Sequence, residues 1–523
     1  MNRRIAFSFI LVILVTATLA GEDIAGNWPA YNRTPAGDRF SPLAEVTVAN
    51  VRGLREICAA EIPDGRSFQS GPIAIDGTIY VTTDTGTFAI DGATCAVKWK
   101  HTHSYKPPSF LGSNRGAAYL DGRLFRGSGD GHVFAIDART GASLWDVAIG
   151  DPGKGESIPM APLAWNGMVF VGNAGGDFFG VTGRVYALSA VDGHVVWQFD
   201  SVPRTAAVMA TWPQASPENP PTGGAFWTTF SLDASKGILY VSSGNPAPDF
   251  VIALRGGKNL YTNSIIALDA GTGALRGYRQ PVTDDFHDWD VSAAPALVTT
   301  KKGLHLTLAA GKDGYLHGID RSLSSERYRA ATTTHFNTTE PLSESHATRF
   351  CPGTQGGSEW NGPAFNPALN AVFTGAVDWC TSVTLLPLAQ LKGTAGAPWT
   401  GAEPPAPFGI QDATETWGGW VTSFNADDGS IVWKFRTPTP IVGAVTPTAG
   451  GVLFFGDLNG AIYAMNAATG ERLWSGNAGR PVGGGIISYR AGGRQRIAVA
   501  AGMSSPIWPV KSAGARLVVF GLP

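Results

Sequence analysis

Seven consecutive residues, Asp284-Asp285-Phe286-His287-Asp288-Trp289-Asp290, hold four carboxylates, a histidine and two aromatic rings. A polar turn needs one Asp or Asn as its cap. Four acids this close repel one another unless a cation or a proton is shared among them. The run is therefore a candidate metal or acid–base site. The alternative is a solvated loop rich in turn-forming aspartate, and nothing within the seven residues decides between the two.

The elements that must position this run are repeats. The phrase Phe88-Ala89-Ile90-Asp91, with Trp99 eight residues after the Asp, returns as Phe134-Ala135-Ile136-Asp137 with Trp145 and as Tyr186-Ala187-Leu188-Ser189 with Trp197. Further copies are Ile266-Ala267-Leu268-Asp269, Ser423-Phe424-Asn425 with Trp433, and Ala464-Met465-Asn466 with Trp474, and a degenerate one is Gly318-Ile319-Asp320. A turn such as Thr140-Gly141 or Thr469-Gly470 separates the acid or amide from the Trp, so each phrase reads as strand, tight turn, strand. Ahead of most phrases stands a glycine-opened strand, such as Gly77-Thr78-Ile79-Tyr80-Val81 or Gly167-Met168-Val169-Phe170-Val171, rich in β-branched and aromatic residues. The spacing runs from 41 residues (Asn425 to Asn466) to 52 (Asp137 to Ser189). That period predicts an all-β, eight-bladed β-propeller of four-stranded antiparallel blades, each covering its neighbour's apolar face, with the phrase-ending Trp packed between blades. Seven copies are readable; the N-terminal segment and a strand at Gln495–Gly502 are expected to close the ring as the eighth. Two Pro/Gly-rich inserts, Val202–Gly224 and Leu385–Gly409, are expected to cover one face.

Composition agrees with tight turns and strands: Gly is high at 67, charged residues are scarce at 15%, and Trp is abundant at 16. A net charge of −2 with no basic block points away from nucleic acid and anionic membranes. The start, Met1-Asn2-Arg3-Arg4 followed by an apolar run to Leu19 and Ala20, reads as a signal peptide over residues 1–20. A single domain is then expected over 21–523, in the periplasm or secreted, with no membrane span. The four cysteines, Cys58, Cys95, Cys351 and Cys380, permit disulfides in an exported chain. None stands in a Cys-x-x-Cys-His motif for covalent haem, and none has zinc-ligand spacing.

On these phrases the chain resembles the PQQ-dependent alcohol dehydrogenases, eight-bladed quinoproteins of the periplasm. The Ala-(Ile/Leu)-Asp-x-x-Thr-Gly-x-x-x-Trp phrase is similar to that family's blade-docking motif, which non-catalytic scaffold propellers of the envelope share. What the resemblance implies for function rests on residues between the blades. Trp227, eighteen residues before Asn245, is similar to the family's pair of a tryptophan under the flat quinone and an asparagine on calcium; an aromatic platform and a hard neutral oxygen suit those tasks. Asn173 to Gly183 resembles a Gly-rich segment ending in a calcium-ligating Glu, here Asp177, with Gly175 and Gly176 letting backbone approach the cofactor. Ser113-Asn114-Arg115-Gly116 resembles the segment whose arginine binds a PQQ carboxylate, and Lys312 matches the cation at the quinone oxygens. Trp289-Asp290 resembles the Trp-Asp of the catalytic base, which borders the calcium; this implies Asp290 as base and leaves Asp284, Asp285 and Asp288 to the loop and His287 as a hydrogen-bonding loop residue.

The resemblance therefore implies PQQ and Ca²⁺ as cofactors, Asp177, Asn245 and Asp290 as metal ligands, and Arg115, Gly175, Gly176, Trp227 and Lys312 as cofactor contacts. It implies oxidation of a small or polymeric alcohol, with electrons passed to a separate cytochrome c or similar acceptor. It also pairs Cys351 with Cys380, flanking the pocket-side segment Gly357-Ser358-Glu359-Trp360-Asn361-Gly362-Pro363; Cys58–Cys95 is a possible second bridge. The chain departs from the pattern in several places. Two adjacent cysteines expected before Asn114 are Ser109-Phe110, an expected glutamate is Gln69, an expected tryptophan is Val442, and the Thr ahead of Pro162 is missing. The rivals are a scaffold propeller that has lost its cofactor and a sugar or aldehyde dehydrogenase using the same one. A relation to poly(vinyl alcohol) dehydrogenases is a further possibility.

Overall fold

The glycine-opened strands at Gly77, Gly122 and Gly167 begin at two-residue hairpins whose centre is Asp-Gly or Asn-Gly, both in left-handed backbone: Asp76 and Gly77 at φ 46° and 76°, Asn166 and Gly167 at 49° and 75°. These are the turns whose twist matches that of paired strands. In the computed structural model, which describes residues 25–63, 65–106 and 111–523, they join the first two strands of four-stranded antiparallel sheets. Eight such sheets are present among the described residues. Seven each run in chain order, within residues 73–102, 118–148, 163–200, 231–279, 296–331, 364–437 and 446–477, the fourth and sixth interrupted by short strands of two smaller sheets. The eighth places Arg55–Ile62 beside Ala515–Gly521, followed by Arg494–Ala501 and Ile486–Ala491. The signal peptide expected over residues 1–20, and the pair Ser109-Phe110, lie outside the described residues. No helix among the described residues is long and apolar enough to cross a membrane.

The core is a ring of interfaces between neighbouring sheets. Buried residues of the first and second sheets, such as Ile73 and Phe134, share one cluster; Ala364 and Leu453 join the sixth to the seventh; and Ala498 of the eighth packs with Ile79 of the first, which closes the circle. The docking phrase explains how neighbours lock. Trp99 lies opposite small Ala89 on the adjacent strand, donates its indole N–H to the carbonyl of Ala138 in the next blade at 3.1 Å, and stacks on the turn glycine Gly141, where a Cβ would come within 2.7 Å of the ring. Trp145, Trp197 and Trp433 repeat the bond to Ala190, Ala270 and Ala467. In the degenerate copy Tyr328 stands in for the Trp and donates its hydroxyl to Ala426. The acid that opens each turn caps it: Asp137 accepts from the backbone of Arg139 and Thr140 and from the Thr140 hydroxyl.

This order of strands sorts the loops. In an up-and-down four-stranded blade, the turns joining strands one to two and three to four lie at one end. Those joining two to three, and one blade to the next, lie at the other. The docking turns share the first end. Arg115, Asp177, Trp227, Asn245, Asp290, Lys312 and Glu359 all fall in connections of the second kind, as do both inserts.

Candidate functional site

Asp290 lies on the connection from the fourth to the fifth blade, and its neighbours come from within those blades. One carboxylate oxygen accepts the backbone N–H of Asn245 at 2.8 Å; the other is 2.9 Å from the ammonium of Lys312. The N–H of Lys312 also donates to the Asp290 carbonyl at 3.0 Å. So close an approach of three chain segments needs two positions without side chains. A Cβ on Gly244 would collide with the Asp290 carboxylate, and one on Gly311 would stand 2.8 Å from its carbonyl. Asp290 is 4% exposed and Lys312 6%. Burial opposes the lysine's charge, but Asp288, Asp290 and Glu359 outweigh it and raise its pKa well above the ordinary value.

The remaining acids of the run divide. Asp284 is exposed. Asp285 caps the loop, accepting the backbone N–H groups of His287 and Trp289 and the side-chain amide of Asn263. Asp288 does not serve the loop. Its backbone is left-handed, φ 64°, and both its oxygens are 3.3 Å from the Lys312 ammonium, because the two-residue offset turns it to the same cation as Asp290. His287 is also not the hydrogen-bonding residue expected. It is stacked between Phe286 and Trp289, ring centroids 4.0 Å from each, its Nε2 is buried with no hydrogen-bond partner, and burial pushes its pKa down to about 3.

Oxygens of Asp177, Asp249 and Asp288 lie within 4.8 Å of one another. The acid joined to Asp177 and Asp288 is thus Asp249, which the sequence analysis did not single out. Asp249 is fully buried, and neither of its oxygens has a hydrogen-bond partner. Its carbonyl and that of Asp285 are both held by the buried guanidinium of Arg255, at 3.0 and 2.7 Å. Burial first, then the charges of Asp177 and Asp288, raise the Asp249 carboxyl well above its usual range. Burial and Asp290 raise Asp177 to about 6. The insert Leu385–Gly409 lies against this cluster, with Trp399 donating to the Asp177 carbonyl at 2.7 Å and Phe250 to that of Thr400 at 2.9 Å. No spacing rule points to Asp249; the one signal is an acid among apolar neighbours, Pro248, Phe250 and Val251.

A second group of buried residues gathers around Arg115 and two tryptophans. The Arg115 guanidinium lies 4.7 Å from the Trp227 ring centroid and 5.0 Å from that of Trp360. It is 4% exposed, its Nε has no acceptor, and it makes no ion pair within 4 Å among the described residues; burial lowers its pKa to about 10. Ser113 Oγ, Gln69 Oε1 and Glu359 Oε1 are likewise buried without partners. Burial first, then the charge of Asp290, pushes Glu359 up to about 7 despite Lys312 and Arg115. Val442, where a tryptophan was expected, lines the apolar cluster that Trp227 and Trp360 share. Gly175 and Gly176 have packing reasons of their own: a Cβ on Gly175 would collide with the carbonyl of Gly155, and one on Gly176 would meet Ala225 at 3.0 Å. The structure contains both disulfides, Cys58–Cys95 and Cys351–Cys380; Pro352, next to Cys351, accepts the Trp289 indole N–H at 3.2 Å.

Buried polar atoms without partners are rare in folded proteins and mark places where a bound group or water is met. An unpaired, buried guanidinium on an indole fits a flat molecule bearing carboxylates. Acid oxygens within 4.8 Å fit one large hard cation, whose ligand bonds are about 2.3–2.6 Å long. The donor set therefore suits both groups expected from the sequence.

Comparison with known proteins places this site in context. The family described as glucose/ethanol/alcohol dehydrogenase, beta-propeller domain, matches residues 28–323, more than half of the chain. The family described as outer membrane protein assembly factor BamB matches residues 417–512. A quinohemoprotein alcohol dehydrogenase, ADH IIB of Pseudomonas putida, is 28% identical over 93% of this chain and 75% of its own length. A lanthanide-dependent methanol dehydrogenase of Methylacidiphilum fumariolicum is 26% identical over 89% of this chain and 82% of its own. Among solved structures, a europium-containing methanol dehydrogenase superposes with a TM-score of 0.83 at 24% identity, covering 95% of this chain and 98% of that one, which is a likeness of fold.

Proposed function

The chain belongs to the glucose/ethanol/alcohol dehydrogenase β-propeller family, and from that premise we propose that it is a periplasmic, PQQ- and Ca²⁺-dependent dehydrogenase that oxidises an alcohol to an aldehyde or ketone. The observation that carries the proposal is Arg115, a buried cation laid across Trp227 with no ion-pair partner among the described residues. A buried charge of this kind is costly unless something anionic meets it.

Arg115 and Trp227 would hold the cofactor, with Gly175, Gly176 and Lys312 beside it; Asp177, Asn245 and Asp290 would hold the cation. When bound, PQQ supplies the hydride acceptor and Ca²⁺ the Lewis acid. Asp290 takes the hydroxyl proton of the alcohol. The Asn245 N–H and the Lys312 ammonium fix the orientation of its carboxylate, so the base is in place before substrate arrives. Loss of that proton and of a hydride converts the alcohol to the carbonyl product. With no Cys-x-x-Cys-His motif in its 523 residues, the chain would pass electrons to a separate cytochrome c or similar acceptor.

The match to an assembly factor favours a scaffold as the second reading. It covers residues 417–512, however, and none of Arg115, Asp177, Trp227, Asn245, Asp290 or Lys312 falls within it. The test is reconstitution: PQQ and Ca²⁺ are added to the purified protein, binding is followed by absorbance, and dye reduction is measured over alcohols, sugars and aldehydes. Binding with turnover of alcohols is expected. Absence of PQQ binding would sink the dehydrogenase, and turnover of sugars or aldehydes alone would reassign its substrate class.

A further inference from the structure

Four buried or half-buried acids face one another where the proposed chemistry uses a cation, and three of them form a group. Asp177 enters from the third blade, Asp249 from the fourth and Asp288 from the connection to the fifth, with their oxygens within 4.8 Å. Asp285 and Asp284 are otherwise engaged, by the loop and by solvent. Asp288 is balanced by Lys312. Asp249 is not balanced in this way. Its exposure is 0%, both its oxygens lack a hydrogen-bond partner, and Arg255 binds its carbonyl rather than its carboxylate. A carboxylate in that position costs several kcal/mol unless a cation or proton meets it. Its nearest charged neighbours are the acids Asp177 and Asp288, and the charge of Arg255 offsets burial and those acids only in part.

We propose that Asp249 is a ligand of the cation, completing with Asp177 and Asp288 a three-carboxylate cradle beside Asp290. This rests on the metal site of the proposed dehydrogenase and enlarges it by two acids. The ligand class is a large hard cation that accepts several oxygens, of the chemistry shared by Ca²⁺ and the lanthanide ions. Two features support the cradle as built. Arg255 staples the carbonyls of Asp249 and Asp285 together, which fixes the Asp249 segment against the loop that carries Asp288. The insert that ends at Gly409 then closes over Asp177 and Phe250 by backbone bonds. Within the acid run, Asp288 adds a second carboxylate to the cation beside Asp290, and the Lys312 ammonium lies within 3.3 Å of both. Four carboxylates and one ammonium leave three negative charges, so the loss of one acid should weaken a trivalent ion more than a divalent one.

The test compares the full-length protein with Asp249→Asn, using Tb³⁺ luminescence excited through tryptophan, Ca²⁺ competition against it, and the melting temperature with and without each ion. The wild type should bind Tb³⁺, release it to Ca²⁺ and melt higher with either ion. The Asn variant should bind more weakly by tenfold to a hundredfold, the order by which even outer-sphere partners act, with the larger loss for Tb³⁺. Without metal it should melt no lower than wild type, since a buried acid lacking a partner has been removed. Asp249→Ala serves as the second variant and should behave alike. Binding by Asp249→Asn equal to wild type would overturn the assignment while leaving the metal site of the dehydrogenase intact. No binding of either ion by the wild type would overturn both. Loss of the fold in both variants would also overturn it, because it would make Asp249 a structural acid.

Discussion

At the scale of single residues, the site depends on carboxylates placed where their charge must be answered. Asp290 is answered twice, by an N–H and an ammonium, which suits the base proposed for the alcohol proton. Asp290→Asn keeps the shape and removes the proton acceptor. It should lower dye-linked turnover by about 10²–10⁴-fold, the usual weight of a positioned base, while the circular-dichroism spectrum stays that of the wild type. Undiminished turnover would remove Asp290 from the mechanism. This residue was legible in the sequence because Trp289-Asp290 carries a pattern, and Asn245, Trp227, Lys312 and Arg115 stand in patterns of their own. Asp249 and the true part of Asp288 were not. Their oxygens meet across blades, and no local spacing records a meeting between segments 39 to 111 residues apart. His287 failed for a related reason: a histidine in an acid-rich run looks like a hydrogen-bonding partner until its stacking between two aromatic rings is known.

At the scale of elements, strands and turns hold these groups at fixed distances. Lys312 lies on the turn that precedes the strand Tyr315–Asp320, and His317 of that strand anchors the turn. Its Nε2 is 2.9 Å from Asp313 and its Nδ1 is 2.6 Å from Glu326 on the outer strand, so both ring nitrogens donate. Burial alone would lower its pKa, but Asp313 and Glu326 outweigh burial and raise it to about 9. A group raised from 6.5 to about 9 stabilises the fold fully below pH 6.5 and loses that contribution as pH rises through 9. Chemical denaturation across this window should show the wild type losing roughly 3 kcal/mol, and His317→Gln should flatten that decline. An unchanged slope in the variant would mean that the imidazolium has no such role. The docking phrase, by contrast, was fully readable. Its acid, Gly and Trp each answer a local need: a cap, a left-handed turn and a ring with room to stack. A tyrosine could replace the Trp in the fifth blade because the hydroxyl reaches the same carbonyl position.

At the scale of the whole molecule, the ring is closed by strands from opposite ends of the chain and fastened by one covalent link. Cys58 lies on the outermost strand of the eighth sheet, and its bond to Cys95 reaches the hairpin of the first. The bridge spans 37 residues, and the chain-entropy account gives about 4 kcal/mol for a loop of that length. Replacing both cysteines by serine should lower the denaturation free energy by about that amount, and leave dye-linked turnover per folded molecule unchanged, since neither residue is at the end that carries the site. Equal stability of the double variant would show that the strand pairs of the eighth sheet hold the ring unaided. The closure was expected from the sequence through the strand at Gln495–Gly502, but the sequence did not specify the register of Arg55 against Gly521, which only the circular packing sets.

That pairing also has a meaning in time. Seven blades consist of strands that follow one another, so each can form as its segment is synthesised, from contacts near in sequence. The eighth must bring Arg55 to Gly521, and bringing together ends so far apart costs on the order of 5 kcal/mol in chain entropy before any contact repays it. Asp177, Asp249, Asp290 and Lys312 come from three consecutive early blades and the connections between them. Arg115 and Trp360, by contrast, come from connections four blades apart. The acid cluster is thus assembled by neighbouring blades, whereas the arginine–tryptophan contact spans half the ring.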